Sequence, residues 1–466
     1  MAITVSQSPT QSINAAHSDL LYVVTSNSSS RDNYTFNLDI CSQAGTLIQR
    51  FQQTPNLSGI GVFNANLYFD RQTYIPNDVL TSFIYVSSES INRNQVKFSE
   101  SWSDTPSGDI ILYNGVDDTP IAAGVAGDVS ASNLGADQAN YFVPAVVNRN
   151  ESTVPYWDTS DFYIDGTATG TKIWLTDMPR TNVPIRSTDY MVLAAFNGEN
   201  YTGSGAYNDI ARVRSRQYSS AGSLLVTHYN TNITAQQNPN ALRTTTVSTN
   251  FDTISGSFFT DPGWINRFGY YGVGPASIYN WSLNASAATY TLDTQGYNDG
   301  SINSNTTDVI TFKLQDGVNS DCSAYDIYRL CWVNKYGGLD WFNFNGISRY
   351  NNRRQDENYT QGFIDYSITD VNTNPYNITN RGKNSFQTSQ TQRRTLSTDF
   401  LTQEWADWLE GLFVSPSVYL VDDNLGFIPI NLISADYQKK DDASTQKLKS
   451  YTVVFEYSNP RRPYSA

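Results

Sequence analysis

Tyr34-Thr35-Phe36-Asn37-Leu38-Asp39-Ile40 alternates residue by residue, with Tyr34, Phe36, Leu38 and Ile40 on one side. Successive side chains of a strand point to opposite faces, so this is the pattern of a strand with one apolar face. Neighbouring segments repeat it. Phe63, Ala65, Leu67 and Phe69 fall two apart, and Val96, Phe98 and Trp102 keep one phase. Residues 20–25 and 83–86 are short apolar runs that suit buried strands, and 109–113 predicts another. Short strands between turn residues, repeated across residues 1–120, read as a β-sandwich.

Further along, residues 115–138 are rich in Gly, Ala, Asp and Ser and read as a linker or long excursion. Strand patterns return at 171–175, 190–196, 212–218 and 223–229, followed by a polar stretch at 234–250. A third group lies at 290–292, 309–314 and 325–333. It runs into Gly337-Gly338, which can supply the positive φ angles of a tight hairpin. Between 398 and 413, Leu401, Trp405, Trp408, Leu409, Leu412 and Phe413 make one apolar helical stripe that Pro416 ends. Strands at 418–421, 427–433 and 447–457 follow, with a turn at Asp422-Asp423-Asn424 and a Pro460-Arg461-Arg462-Pro463 tail. The expected fold is mainly β, with several sandwich-like domains and one C-terminal amphipathic helix packed on a small sheet. The expected segments are an N-terminal sandwich over 1–120 and a β-rich middle domain or insertion with long polar loops over 121–285. Strands and the Gly-Gly hairpin occupy 286–345, and a C-terminal α+β module occupies 346–466.

Composition narrows the function. The chain has 466 residues, 30 basic and 44 acidic side chains and a net charge of −14, which argues against coating a nucleic-acid duplex. Charged residues are only 16% and aromatics reach 13%, led by 31 Tyr and 22 Phe; a disordered chain shows the reverse. Residues 1–334 carry 16 basic and 29 acidic side chains, and the remainder 14 and 15, so the balanced part is the better docking candidate. Met1 to Val5 has no basic region followed by an apolar one, so no secretory signal is expected. Its Asn-x-Ser/Thr triplets then reflect abundant Asn. No apolar run is long enough for a membrane helix.

Catalytic and metal patterns are missing. His17 and His228 are the two histidines, and there is no HExxH, CxxC, GxSxG or phosphate-cradling loop. His228 sits in a strand-like run and reads as structural. Cys41, Cys322 and Cys331 do not make a complete disulfide framework, although Cys322 and Cys331 could pair across neighbouring strands. Asp117-Asp118, Asp422-Asp423 and Asp441-Asp442 read as solvated turns or weak Ca²⁺ ligands rather than the opposed carboxylates of a glycosidase. Trp102, Trp157 and Trp264 read as core before they read as a sugar platform. Arg353-Arg354 and Arg393-Arg394 read as solvated loops or contacts between subunits.

The stretch Tyr328-Arg329-Leu330-Cys331-Trp332-Val333-Asn334-Lys335-Tyr336-Gly337-Gly338-Leu339-Asp340-Trp341-Phe342-Asn343-Phe344 resembles a hairpin in virion proteins of tailed phages of Bacteroidetes-type hosts, crAss-like phages among them. Similar segments continue through Asn380-Arg381-Gly382-Lys383, Asn384-Ser385-Phe386 and Thr398 to Glu404. They extend through Leu412 to Leu420 and Phe427 to Asn431, and end at Phe455-Glu456-Tyr457. About 140 C-terminal residues are covered well. Upstream, Leu20 to Ser26, Asn33 to Phe36, Trp174 to Pro179 and Ser187 to Tyr190 are similar more loosely.

The resemblance implies a tail or neck structural protein, made in the host cytoplasm, that assembles as a ring or baseplate-like layer with copies of itself and other tail or neck proteins. It implies no catalysis, cofactor, metal, membrane insertion or direct nucleic-acid binding. The long polar middle could be an added exposed domain, which keeps open a host-recognition adhesin that binds surface glycan. The residues expected to hold the structural and assembly module are Trp332, Gly337, Gly338, Trp341, Phe344, Leu401, Trp405, Trp408 and Leu412.

Overall fold

The computed structural model describes residues 3–9, 13–42, 46–72, 84–85, 92–114, 120, 138–143, 173–196, 210–231, 243–245, 254–256, 268–277, 283–298, 301–302, 307–316, 325–360, 383–422, 426–433 and 450–459. These residues are mainly β, with helices at Asn66–Gln72 and Gln403–Val414. The chain forms two compact units. The first takes in Met1–Cys322, Trp332–Trp341 and Glu410–Pro416, and the second Ser323–Cys331, Phe342–Leu409 and Ser417–Ala466.

The alternating stretch that opens the sequence lies in Asp32–Cys41, a central strand of a six-stranded sheet. That strand pairs antiparallel with Leu47–Gln53 on one side and Asn92–Ser103 on the other. Ile3–Gln7, Leu21–Ser26 and Ile60–Asn64 form a second, three-stranded sheet. Tyr22, Val24 and Phe63 of the small sheet share one core with Phe36, Leu38, Ile40, Val96 and Phe98 of the large one. The Tyr22 and Phe63 rings lie 5.8 and 6.4 Å from the Phe98 ring. Two sheets that bury their facing sides against each other are a sandwich.

The alternation at Phe63, Ala65, Leu67 and Phe69 does not continue as a strand. The strand ends at Asn64 and the helix Asn66–Gln72 begins. The Asn64 side-chain oxygen accepts from the Asn66 amide at 3.2 Å and the Leu20 amide at 3.0 Å. An Asn that satisfies orphan amides favours a helix start over a continued ladder. Ala65 and Phe69, four apart, stay buried on one helical side, whereas Leu67 is exposed.

A second departure is Glu100, which shares the phase of Val96, Phe98 and Trp102 and is therefore buried on the core face. Tyr34 and Ser26 donate hydroxyl hydrogen bonds to its carboxylate, the latter at 2.7 Å. On the reverse face Asp39 is buried too, held by Arg50 at 3.0 Å and by the Ser99 hydroxyl at 2.6 Å.

The rest of the first unit has a six-stranded sheet in which Val183–Ile185, Thr307–Leu314, Ala287–Asn298, Ile210–Ser219 and Leu224–Thr231 follow in order. A three-stranded sheet joins Val192–Phe196, Phe268–Gly272 and Ile84–Tyr85. That last pairing connects residues expected in different segments. The predicted strand at 171–175 is, over its described residues, a single bridge from Trp174 to Ala195. Asp308 sets this segment: its carboxylate accepts from the Ile173 amide at 2.8 Å, the Trp174 amide at 3.0 Å and Arg180 at 3.1 Å.

C-terminal residues form a seven-stranded sheet in the order Leu339–Phe344, Tyr328–Val333, Val418–Asp422, Gly426–Leu432, Thr452–Tyr457, Lys383–Ser397, Arg349–Thr360. The helix starts at Gln403 rather than 398, because Thr398 is tied to Tyr451. The Thr398 amide donates to the Tyr451 carbonyl at 2.9 Å, and the Tyr451 amide to the Thr398 hydroxyl at 2.8 Å. In the second unit Phe342 meets Trp405 and Trp408 at ring separations of 6.1 and 6.2 Å, which packs the helix on the sheet.

Candidate assembly surface

The hairpin and helix residues singled out from sequence are mostly interior groups. Trp332, Gly337, Gly338, Trp341, Phe344, Trp408 and Leu412 are buried, and Leu401 and Trp405 are half-buried. Gly337 takes a φ of 83°, and the Asn334 amide and carbonyl close the turn with Gly338 O and Gly337 N at 2.9 and 3.0 Å. The Asn334 side chain binds in four directions. Its amide donates to Leu175 O at 2.8 Å and to Asp340 at 3.0 Å, and its oxygen accepts from the Tyr336 and Gly338 amides at 3.0 Å each. Asp340 accepts from Thr176, and the Trp341 indole donates to Val192 O at 2.8 Å. The turn is thus fastened within the first unit, and Gly338 is required there: a Cβ would sit 2.8 Å from Leu175 O.

Beside this lock, Asp177 meets Lys335 at 3.1 Å and the Tyr336 hydroxyl at 2.9 Å. Burial alone would lower the Lys335 pKa, but Asp177 and Tyr336 outweigh it and hold the ammonium above its ordinary range. Burial, then Asp177, pushes the Tyr336 phenol upward. These charges fix a turn.

Other sequence candidates are scattered. His228 lies buried on Leu224–Thr231, and burial lowers its pKa. His17 is half-buried. Trp102 is buried and stacked on Tyr113 at 3.6 Å. Cys41 and Cys331 are buried, and Cys322 lies outside the described residues, so the Cys322–Cys331 pairing does too. Asp117, Asp118, Asp423, Asp441, Asp442, Trp157 and Trp264 also lie outside them. Among the described residues no three His, Cys, Asp or Glu converge as metal ligands would, and no helix is long and apolar enough to cross a membrane.

One exposed feature is a ribbon of which sequence reasoning found only the short strand Asn384-Ser385-Phe386. Arg349–Thr360 and Lys383–Ser397 pair antiparallel from Arg349–Thr395 to Thr360–Lys383. Thr452–Tyr457 supports the second strand only from Arg393 to Ser397. Beyond that point the two strands are, among the described residues, each other's ladder partners. At about 3.3 Å per residue the unsupported part extends for about 30 Å. Every described side chain of Arg349–Thr360 is exposed, so neither face of that strand is packed. Tyr359 and Phe386 meet across the ribbon at 6.5 Å and are about half and two-thirds exposed.

The base of the ribbon is anchored. Arg394 lies over the Tyr328 ring at 4.3 Å and the Tyr350 ring at 5.6 Å, and Arg393 pairs with Glu456 at 2.6 Å. Both Arg doublets, expected in solvated loops or in contacts between subunits, lie in strands rather than loops. No apolar alternation marks these strands, because neither face of the outer one is buried. Six basic side chains stand against two acidic ones across the two strands. Arg349 and Arg353 are exposed and form no ion pair among the described residues. A ribbon with bare edges, exposed rings and unmatched charge is suited to binding another chain.

No protein-family model matches the chain, and no curated protein matches it in sequence.

Proposed function

We propose that this chain is a structural protein of a tailed-phage virion, present in several copies in a ring or baseplate-like layer of the tail or neck. The observation that carries the reading is the Tyr328 to Phe344 hairpin, whose sequence resembles the virion hairpin described above. Two features support it. The hairpin and the C-terminal strands that share the resemblance lie in one sheet. The same sheet ends in a long exposed ribbon of neutral polar, aromatic and basic side chains, which suits wet interfaces between subunits. In this reading the protein works by shape and hydrogen-bonded β contacts, without turnover. It is made in the host cytoplasm and carried in the virion.

Light scattering of the purified full-length chain, with negative-stain images of the same sample, tests the proposal. Closed rings of uniform copy number are the expected result. A compact trimer that binds on a glycan array would overturn it in favour of a host-recognition adhesin.

A further inference from the structure

We infer that the ribbon of Arg349–Thr360 and Lys383–Ser397 is a clasp that binds the acidic N-terminal region, residues 1–322, of a second copy of this chain. The inference rests on the multi-copy part of the proposed function and names the surface that joins the copies.

An isolated two-stranded ribbon is at best marginally stable in water, and an exposed strand edge invites pairing. The distal ribbon has no third strand among the described residues, and its outer strand buries neither face. Its rigid base, where Arg394 is held over two tyrosines and Arg393 is paired with Glu456, aims it as an extension of the sheet. A partner strand would complete the ladder and cover the Tyr359–Phe386 pair.

Charge selects the occupant. The ribbon strands carry six basic and two acidic side chains, whereas residues 1–322 carry 15 basic and 28 acidic ones. Opposite potentials bring the ribbon of one copy to the first unit of the next, and like potentials keep two ribbons apart. A ribbon that meets a different surface makes a head-to-tail contact, and such contacts close into rings when the rotation per copy allows it.

The test uses the full chain. A photo-crosslinking amino acid in place of Phe386 is activated in a mixture of ¹⁴N- and ¹⁵N-labelled copies, and the products are mapped by mass spectrometry. Mixed-isotope crosslinks from the ribbon into residues 1–322 are expected. R349E/R353E removes the excess positive charge at exposed positions. It should weaken self-association about tenfold or more at low salt, and much less at high salt, while thermal unfolding stays unchanged. Rings that persist with R349E/R353E and give no ribbon crosslinks would overturn the clasp while leaving the multi-copy reading intact. A wild-type chain that stays monomeric at every concentration would overturn both.

Discussion

The Tyr34 hydroxyl donates a hydrogen bond to the Glu100 carboxylate inside the N-terminal sandwich, where both groups are buried among aromatic side chains. Tyr34 also stacks on Trp102 at 6.0 Å, so one ring fills the core and its hydroxyl satisfies a buried charge. Tyr34→Phe keeps the packing and removes the donor. It should cost about 1.5–3 kcal/mol in urea unfolding. Ser26→Ala removes the other donor, at a partly exposed position, and should cost less.

The Gly337-Gly338 turn should tolerate little. Asn334→Ala leaves Leu175 O and the Tyr336 and Gly338 amides without their partner and should cost about 3–5 kcal/mol. Gly338→Ala, whose Cβ meets the Leu175 carbonyl, should cost about 1–3 kcal/mol. At Gly337, with its positive φ, Asn should be accepted far better than Val. Thermal denaturation of the four variants checks the order.

Of the helix tryptophans, Trp408 should matter more than Trp405. Both touch Phe342, but Trp408 is buried and Trp405 half-buried. Trp408→Ala should cost about 3–5 kcal/mol, and Trp405→Ala clearly less. Trp405→Asp should still disrupt the C-terminal sheet, since it sets a charge against an apolar stripe. A folded Trp405→Asp protein that retains the near-UV signal of Trp408 would refute this.

Alkali should loosen the Asp177–Lys335–Tyr336 cluster. Folding raises the pKa of both Lys335 and Tyr336, so each favours the folded state fully below its unfolded value, near 10.5 and 10.0. That stabilisation fades as pH climbs towards the folded values. The gap in melting temperature between wild type and Asp177→Asn should hold steady from pH 6 to pH 9 and shrink above about pH 10.

The sandwich was legible because Tyr34, Phe36, Leu38 and Ile40 bury one strand face, which writes a period of two into the chain. The Gly337 turn was legible for a related reason: few residues take a positive φ without strain. The helix at Asn66 was hidden because buried Ala65 and Phe69, four apart, satisfy both periods. Glu100 was hidden because its partners Tyr34 and Ser26 are remote in sequence. The ribbon's outer strand was illegible for the opposite reason: Arg349–Thr360 buries neither face, so no hydrophobic period exists to be read. The expected assembly residues came from the hairpin's resemblance and the helix's apolar stripe, both of which mark packed groups, whereas the exposed ribbon carries Arg, Asn, Gln and Thr.

The first unit is finished by segments far downstream. Trp341 closes onto the Val192 carbonyl, 149 positions earlier, and Ser415 onto the Val333 carbonyl. During synthesis at about 5–20 residues per second, the Val192 and Val333 carbonyls therefore wait for these partners until Trp341 and Ser415 have left the ribosome. In the proposed assembly, this order would let translation time when a copy is ready to be joined.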